Sequence, residues 1–308
     1  MTSVESVELE SGVCLGFGAT NARRAVCEDG DIQEFASIET PIHPELFFDW
    51  MSRQLLDAAN EGHEWLVAGF PGPVTPDGTH IGPMANVPGL SARRYNLWSE
   101  LTKRDTAMER LFEEDFKLIA VNDGTLSAQA AATTIGKNEY DRTAALILGT
   151  GVGAGVVVKD PKFEDVHRAD NANPLEIGHV LSTDNPIATY EKYYGGPAIQ
   201  RLFQRSPKDM TAEHPGWHHV GHGIGRMATL LSLMNGVELV VPCGGVGAGG
   251  SEKYMPHLEE FMEQYLKNAN TAQKMLTPEI IPVAPENDQS FEMFGAEGVM
   301  RDYLTRAA

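Results

Sequence analysis

Four short strings, spaced along the chain, hold the residue types that phosphoryl transfer needs. They are GFGATN at Gly16–Asn21, VNDG at Val121–Gly124, ILGTGVGAG at Ile147–Gly155 and EIGH at Glu176–His179. Gly18, Ala19, Thr20 and Asn21 follow a short apolar strand. A glycine turn at that place aims backbone N–H groups at an anion, and the Thr20 hydroxyl and Asn21 amide add side-chain donors. Gly149, Thr150, Gly151 and Gly153 repeat the device. One such turn is weak evidence, because any tight turn uses glycine; the repetition gives it weight. Asn122 and Asp123 end the apolar run Leu118–Val121, and open α/β sheets hold ligands at such strand ends. A carboxylate there can hold and deprotonate a hydroxyl. Asp123 also suits a helix N-cap, worth about 1 kcal/mol, and the two roles are compatible. Glu176 and His179 suit either hydrogen bonds to sugar hydroxyls or a structural polar pair. Together the strings predict ATP-dependent phosphorylation of a small polyhydroxyl substrate. Gly16 runs against this, standing where such a site usually carries a carboxylate.

The elements that must position these groups alternate between strand and helix. Val13–Gly18 reads as a strand, and Ala22–Cys27 with Ile32–Ile38 as a hairpin around Glu28–Asp31. Arg23 and Arg24 suit either phosphate neighbours or its solvated edge, and the edge is preferred. Pro44–Asn60 reads as a helix, with Phe47, Met51 and Leu55 on one face. Trp65–Phe70 and Lys117–Asn122 are buried strands, and Pro71–Asn96 is a long Gly/Pro-rich loop of the kind that carries function. Helices are predicted over Leu97–Glu113, Thr125–Thr133, Tyr190–Phe203, Gly223–Met234, Ser251–Asn268 and Glu292–Thr305. Ala144–Leu148 and Gly153–Lys159 form a second hairpin, and Val237–Val241 a strand that feeds Gly244–Gly247. The alternation predicts an α/β fold with largely parallel central strands. The order strand, glycine turn, hairpin occurs twice, as two similar lobes facing one cleft would require.

Bulk properties exclude several classes. A chain of 308 residues can bury a large core and form two lobes. A net charge of −19 argues against nucleic acid. Cys14, Cys27 and Cys243 are too few for a disulfide framework, which points to a reducing cytoplasm. No apolar stretch approaches the roughly 20 residues of a membrane span. The run HPGWHHVGHG (His214, His218, His219, His222) has no cysteine nearby and no carboxylate that completes a closed site, so no metal is assigned to it.

In family order, from Val13 to about Gly247, these strings resemble the ROK sugar kinases (repressor, open reading frame, kinase), and especially the glucokinase-like members. The family's Asp-x-Gly-Gly-Thr loop reads here Gly16-Phe17-Gly18-Ala19-Thr20. Its Asn-Asp pair matches Asn122-Asp123, its second phosphate loop Gly149–Gly153, and its Glu-x-Gly-His motif Glu176 and His179. Its later sugar-binding Glu is similar to Glu191, ahead of Tyr194-Gly195-Gly196-Pro197-Ala198-Ile199; its Asn-x-Pro-Gly loop matches Asn86 in ANVPGL, and its adenosine-side glycines resemble Gly244-Gly245-Val246. Two departures stand out. Leu181–Thr189 has no cysteine where the family's zinc segment lies, and Gly16 replaces the Asp that helps position Mg²⁺.

The resemblance implies the actin-like ATPase (ribonuclease H-like) fold, two α/β lobes around a central cleft. Residues 1–116 with 291–308 are expected to form one lobe and 117–290 the other. It further implies ATP with Mg²⁺, no structural zinc, and transfer to the 6-hydroxyl of an aldohexose, glucose first. Asp123 would be the base, with Asn86, Asn122, Glu176, His179 and Glu191 on the sugar. Gly18–Asn21, Gly149–Gly151, Gly153, Gly244 and Gly245 would line the nucleotide. A homodimer is left open, and N-acetylhexosamines stay open as substrates. The competing reading, motivated by Gly16, is a sugar-binding protein that has lost turnover.

Overall fold

The computed structural model describes residues 9–113, 116–163, 166–169, 177–182 and 185–307. Glu176 therefore lies outside the described residues. Strand β1 (Gly12–Phe17) is buried along its whole length. It pairs antiparallel with β2 (Asn21–Glu28), which pairs with β3 (Asp31–Glu39). The β2–β3 turn places Asp29 at φ 53° and Gly30 at φ 84°, the mirror-image turn that suits a twisted hairpin. Helix α1 (Pro44–Asn60) has Pro in its first turn and buries Phe47, Met51 and Leu55 as its spacing predicts. β4 (Trp65–Phe70) runs parallel to β1, and the long loop beyond it carries the short ladder β5 (His80–Ile81) with β6 (Tyr95–Asn96).

The helix expected over Leu97–Glu113 is two helices, α2 (Leu97–Thr102) and α3 (Ala107–Glu113). Asp105 interrupts it by accepting the Ala107 N–H, a local bond that competes with the helical one. β7 (Lys117–Asn122) then pairs parallel with β4. The first sheet, in the order β3-β2-β1-β4-β7, thus ends at Asn122, beyond the sequence-based boundary at 116.

After helix α4 (Asp123–Ala130) the same design recurs. β8 (Arg142–Leu148), β9 (Val152–Lys159) and β10 (His167–Ala169) form an antiparallel run. A short ladder of β11 (Leu181–Ser182) and β12 (Asn185–Thr189) precedes α5 (Glu191–Tyr194) and α6 (Gly196–Phe203). The single helix expected here breaks at Gly195, which is extended at ψ 148°, because the Gly196 N–H is committed to Gly149 O at 2.7 Å. Helix α7 (Gly216–Asn235) starts seven residues earlier than predicted from Gly223, since its glycines are used for close packing despite their poor helix propensity. β13 (Leu239–Cys243) leads into the short α8 (Gly244–Gly247), then α9 (Ser251–Asn268), α10 (Thr271–Met275) and β14 (Glu279–Ile280). The second sheet has the order β10-β9-β8-β13-β14, the first sheet's topology repeated. A 3-10 turn at Phe291–Phe294 precedes α11 (Gly295–Ala307), where one helix was expected from Glu292.

Helix α4 is buried on nearly all sides, and the packing explains why. Leu126 enters a core with Cys14, Trp65, Met293, Ala296 and Met300, while Ala128 and Ala131 enter another with Val157, Val241 and Phe291. The helix is wedged between the two sheets, with α11 beside it, so the chain's last segment packs on its first sheet. No helix among the described residues is long and apolar enough to cross a membrane.

Candidate active site

The first glycine turn is held from behind. Gly18 N–H donates to Asn21 O at 2.9 Å, and Thr40 at the end of β3 pins the turn from both sides. Its hydroxyl donates to Gly18 O at 2.8 Å and its N–H to Thr20 O at 2.9 Å. Thr20 and Asn21 remain exposed, with Ala19 partly so. The second turn, Gly149–Gly151, closes through Gly149 N–H to Gly151 O at 3.0 Å and is backed by the Gly195-Gly196 corner. A Cβ at Gly149, Gly153 or Gly245 would meet open space, and none of the three has a positive φ. Neither packing nor backbone conformation requires glycine there; the bare backbone keeps room for something to approach it.

Asn86 and Glu191 arrive at this turn from either side of it in the sequence. A Cβ at Gly151 would lie 3.1 Å from Asn86 Nδ2 and 2.6 Å from Glu191 Oε2. Glu191 Oε2 also accepts the Val152 N–H at 3.3 Å. Gly178 is packed so tightly on Val152 O that no side chain fits, which seats the 3-10 turn Ile177–His179 on the start of β9 and leaves His179 exposed. One amide and one carboxylate thus meet at Gly151–Val152, with the turn that carries His179 seated beside them.

The Asn122 side chain is already engaged within the protein. Its Oδ1 accepts the Gly124 N–H at 2.8 Å, making Asn122 rather than Asp123 the N-cap of α4. Its Nδ2 donates to Gly72 O at 2.9 Å and Phe70 O at 3.3 Å. The amide ties the end of β7 to the end of β4 and thereby positions its neighbour. Asp123 is half-buried at the helix start, one oxygen accepting the Gly124 N–H at 2.8 Å.

Gly16 does not leave a hole. A Cβ there would stand 3.0 Å from Glu292 Cδ, and closer still to its Oε1 and to Met293 Cε. The space of the absent carboxylate is taken by another carboxylate, delivered by the 3-10 turn ahead of α11. Arg23 holds it, with Nη1 2.6 Å from Glu292 Oε1 and the two side chains 22% and 14% exposed. Sequence reasoning missed Glu292 because it lies 276 positions from Gly16 and in no recognisable motif. It also placed both arginines on a solvated edge. Successive strand residues face opposite ways, so Arg24 reaches Glu61 and Glu34 on one face of the sheet, while Arg23 reaches Glu292 on the other; neither stands on a solvated edge.

Nearby, the Asp288 carboxylate accepts the Gly244 N–H at 2.7 Å. Burial pushes its pKa above the ordinary 3.8, with the Gly244 bond and Arg23 opposing. Gly244 itself needs glycine: its φ is +82° and its Cα faces Leu148 O. The thiol of Cys243 is pushed well up by burial first, then by the negative charges of Asp288, Glu292 and Asp123. Cys14 and Cys27 are likewise raised, Cys27 to about 12, chiefly by burial.

Two lobes of duplicated topology, each presenting a glycine turn to one cleft, define the actin-like ATPase fold. The ROK family model matches residues 12–302, and the chain belongs to the ROK family. Solved structures share the fold at low identity. A ROK family glucokinase from Streptomyces griseus, in complex with glucose and AMPPNP, is 16% identical, covering 97% of this chain and 100% of its own at a TM-score of 0.68. A ROK hexokinase from Thermus thermophilus is 19% identical, with 96% and 99% covered at 0.68. An inorganic polyphosphate/ATP-glucomannokinase from Arthrobacter sp. strain KM is 15% identical, with 96% and 99% covered at 0.65. No curated protein matches the chain by sequence.

Proposed function

We propose that this chain is a sugar kinase that transfers the γ-phosphoryl group of ATP to the 6-hydroxyl of an aldohexose, glucose first. The observation that carries this reading is the meeting of Asn86 and Glu191 at Gly151, on the turn suited to phosphate. An amide and a carboxylate beside a phosphate cradle suit a polyhydroxyl acceptor, which needs donors and acceptors matched to its hydroxyls. Glucokinases and a glucomannokinase among the chains of like fold support the hexose.

In this reading Asp123 takes the proton of the 6-hydroxyl as that oxygen bonds to the γ-phosphorus, and the bridging oxygen leaves with ADP. Asn122 holds Asp123 in place. Asn86, Glu191 and His179 orient the sugar, with Glu176 assigned to the same shell by its motif alone. Gly18–Asn21 and Gly149–Gly153 bind phosphates, and Gly244-Gly245 lie on the nucleoside side. Glu292 stands in for the carboxylate that Gly16 lacks and fits a Mg²⁺ site there, kept in position by Arg23. Bound Mg²⁺ would supply charge neutralisation at the phosphate oxygens. Glu292 also removes the main motive for a sugar-binding protein without turnover. We assign residues 9–122 with 291–307 to one lobe and 123–290 to the other, their closure excluding water from the reaction. A panel of hexoses and N-acetylhexosamines with Mg-ATP, read by sugar phosphate formation, tests the assignment; no product from any sugar overturns it.

A further inference from the structure

Helix α7 turns glycines toward α9. A Cβ on Gly221 would lie 2.8 Å from both Tyr254 O and Leu258 N, and one on Gly225 would lie 2.9 Å from Cε1 of Phe261. These glycines are four apart, so they share one face and let the two backbones come unusually close. The close crossing has a chemical consequence. His218 and His222, also four apart on α7, are brought against His257 and Glu260, three apart on α9. The rings of His218 and His222 have centroids 3.9 Å apart, and those of His218 and His257 are 5.4 Å apart. One ligating atom from each of His218, His222 and Glu260 can be chosen so that all three lie within 4.8 Å of one another. The carboxylate that the HPGWHHVGHG run lacks in sequence is supplied by another helix.

His222 carries a second sign. Its Nε2 is shielded from solvent and has no hydrogen-bond partner among the described residues. An orphaned polar atom of that kind is costly and calls for a ligand.

We infer that His218, His222 and Glu260 form a binding site for a divalent transition metal of the zinc class, bridging α7 and α9. Two imidazoles and one carboxylate are zinc ligands, whereas Mg²⁺ and Ca²⁺ prefer oxygen alone. Tetrahedral donors at zinc distances lie about 3.3 Å apart, so closure needs only rotation of His218 and Glu260, which are both exposed. His257 or water completes the coordination. The far side of α7 packs Gly223 on Tyr194, the last residue of α5, whose first residue is Glu191. The metal would therefore brace the helix that supports the sugar shell, although the site itself does not depend on the kinase reading.

The test is Zn²⁺ titration of the tag-free, EDTA-treated full chain by calorimetry and thermal melting at pH 7.5. Saturable binding near one equivalent is expected, with Tm rising by about 4 °C at a hundredfold excess over Kd. His218→Ala and Glu260→Gln, both at exposed positions, should each weaken binding at least tenfold, while His214→Ala leaves it unchanged. Co²⁺ should give the intense visible absorption of a four-coordinate site. Absence of saturable binding, or wild-type affinity in the His218→Ala/Glu260→Gln double variant, overturns the assignment.

Discussion

Replacing Glu292 by Gln removes one charge from the place where β1 lacks its own. The Gln amide keeps the shape of the side chain, so stability should change little, while a carboxylate worth a few kcal/mol to the transition state is lost. Turnover should fall roughly a hundredfold at saturating Mg-ATP, since each 1.4 kcal/mol of barrier is about tenfold. Hexose KM should barely move, because Asn86 and Glu191 lie on other elements. The concentration of Mg²⁺ needed for half-maximal rate should rise. Gly16→Asp gives the opposite check. The new side chain would collide with Glu292 and Met293, so crowding of about 1–3 kcal/mol is expected before any charge repulsion, or a Tm lower by about 2–5 °C in a chain this long. Turnover of Gly16→Asp should be flat or reduced. Combining it with Glu292→Ala removes the Glu292 clash, leaves only the flexible end of Met293 to shift, gives Arg23 a carboxylate partner and should restore turnover to within about tenfold of the parent. A steady-state assay of sugar phosphate formation measures all of these. Unchanged turnover in Glu292→Gln, or faster turnover in Gly16→Asp with Glu292 present, would refute the substitution of one carboxylate for the other.

Asp288→Asn should raise Tm at pH 7 to 8. The folded state holds this carboxyl above its ordinary 3.8 through burial, so its ionisation costs stability as pH rises past 3.8, and the gain should vanish in melts near pH 3. Glu191→Gln should raise hexose KM tenfold or more and leave ATP KM within twofold, measured on the same assay. The three cysteines are buried with raised pKa values, so a thiol reagent should label none in the native protein and all after denaturation, a count made by absorbance. Gly155→Ala should fail to fold to native ellipticity, because its Cβ would overlap Gly124 O at the start of α4.

Elements whose signal is local were legible in the sequence. α1, β4, β7 and α9 begin and end where apolar spacing, Pro44 and the flanking polar residues place them. The glycine turns and the repeated hairpin were legible too, and with them the doubled fold. What escaped was information carried between distant segments. The run Leu118–Val121 marks a buried strand but cannot say which sheet receives it, and β7 joined the first. Asn122 reads as a ligand group until the Phe70 and Gly72 carbonyls are seen to hold its amide. The glycines of α7 weaken a helix by propensity, and only α9 packed against them explains their presence. Glu292 and Glu260 are ordinary surface-type residues in sequence. Each gains meaning from a partner on another element, Gly16 and the α7 histidines respectively.

The central claim rests on Asp123, half-buried at the start of α4 and held there by the capping Asn122. The direct measurement is hexose 6-phosphate formation by the purified chain and by Asp123→Ala, with hexose binding followed separately by calorimetry. The account predicts product from the parent and a rate at least a hundredfold lower in Asp123→Ala, with binding largely kept. Most of the parental rate surviving in Asp123→Ala would contradict it.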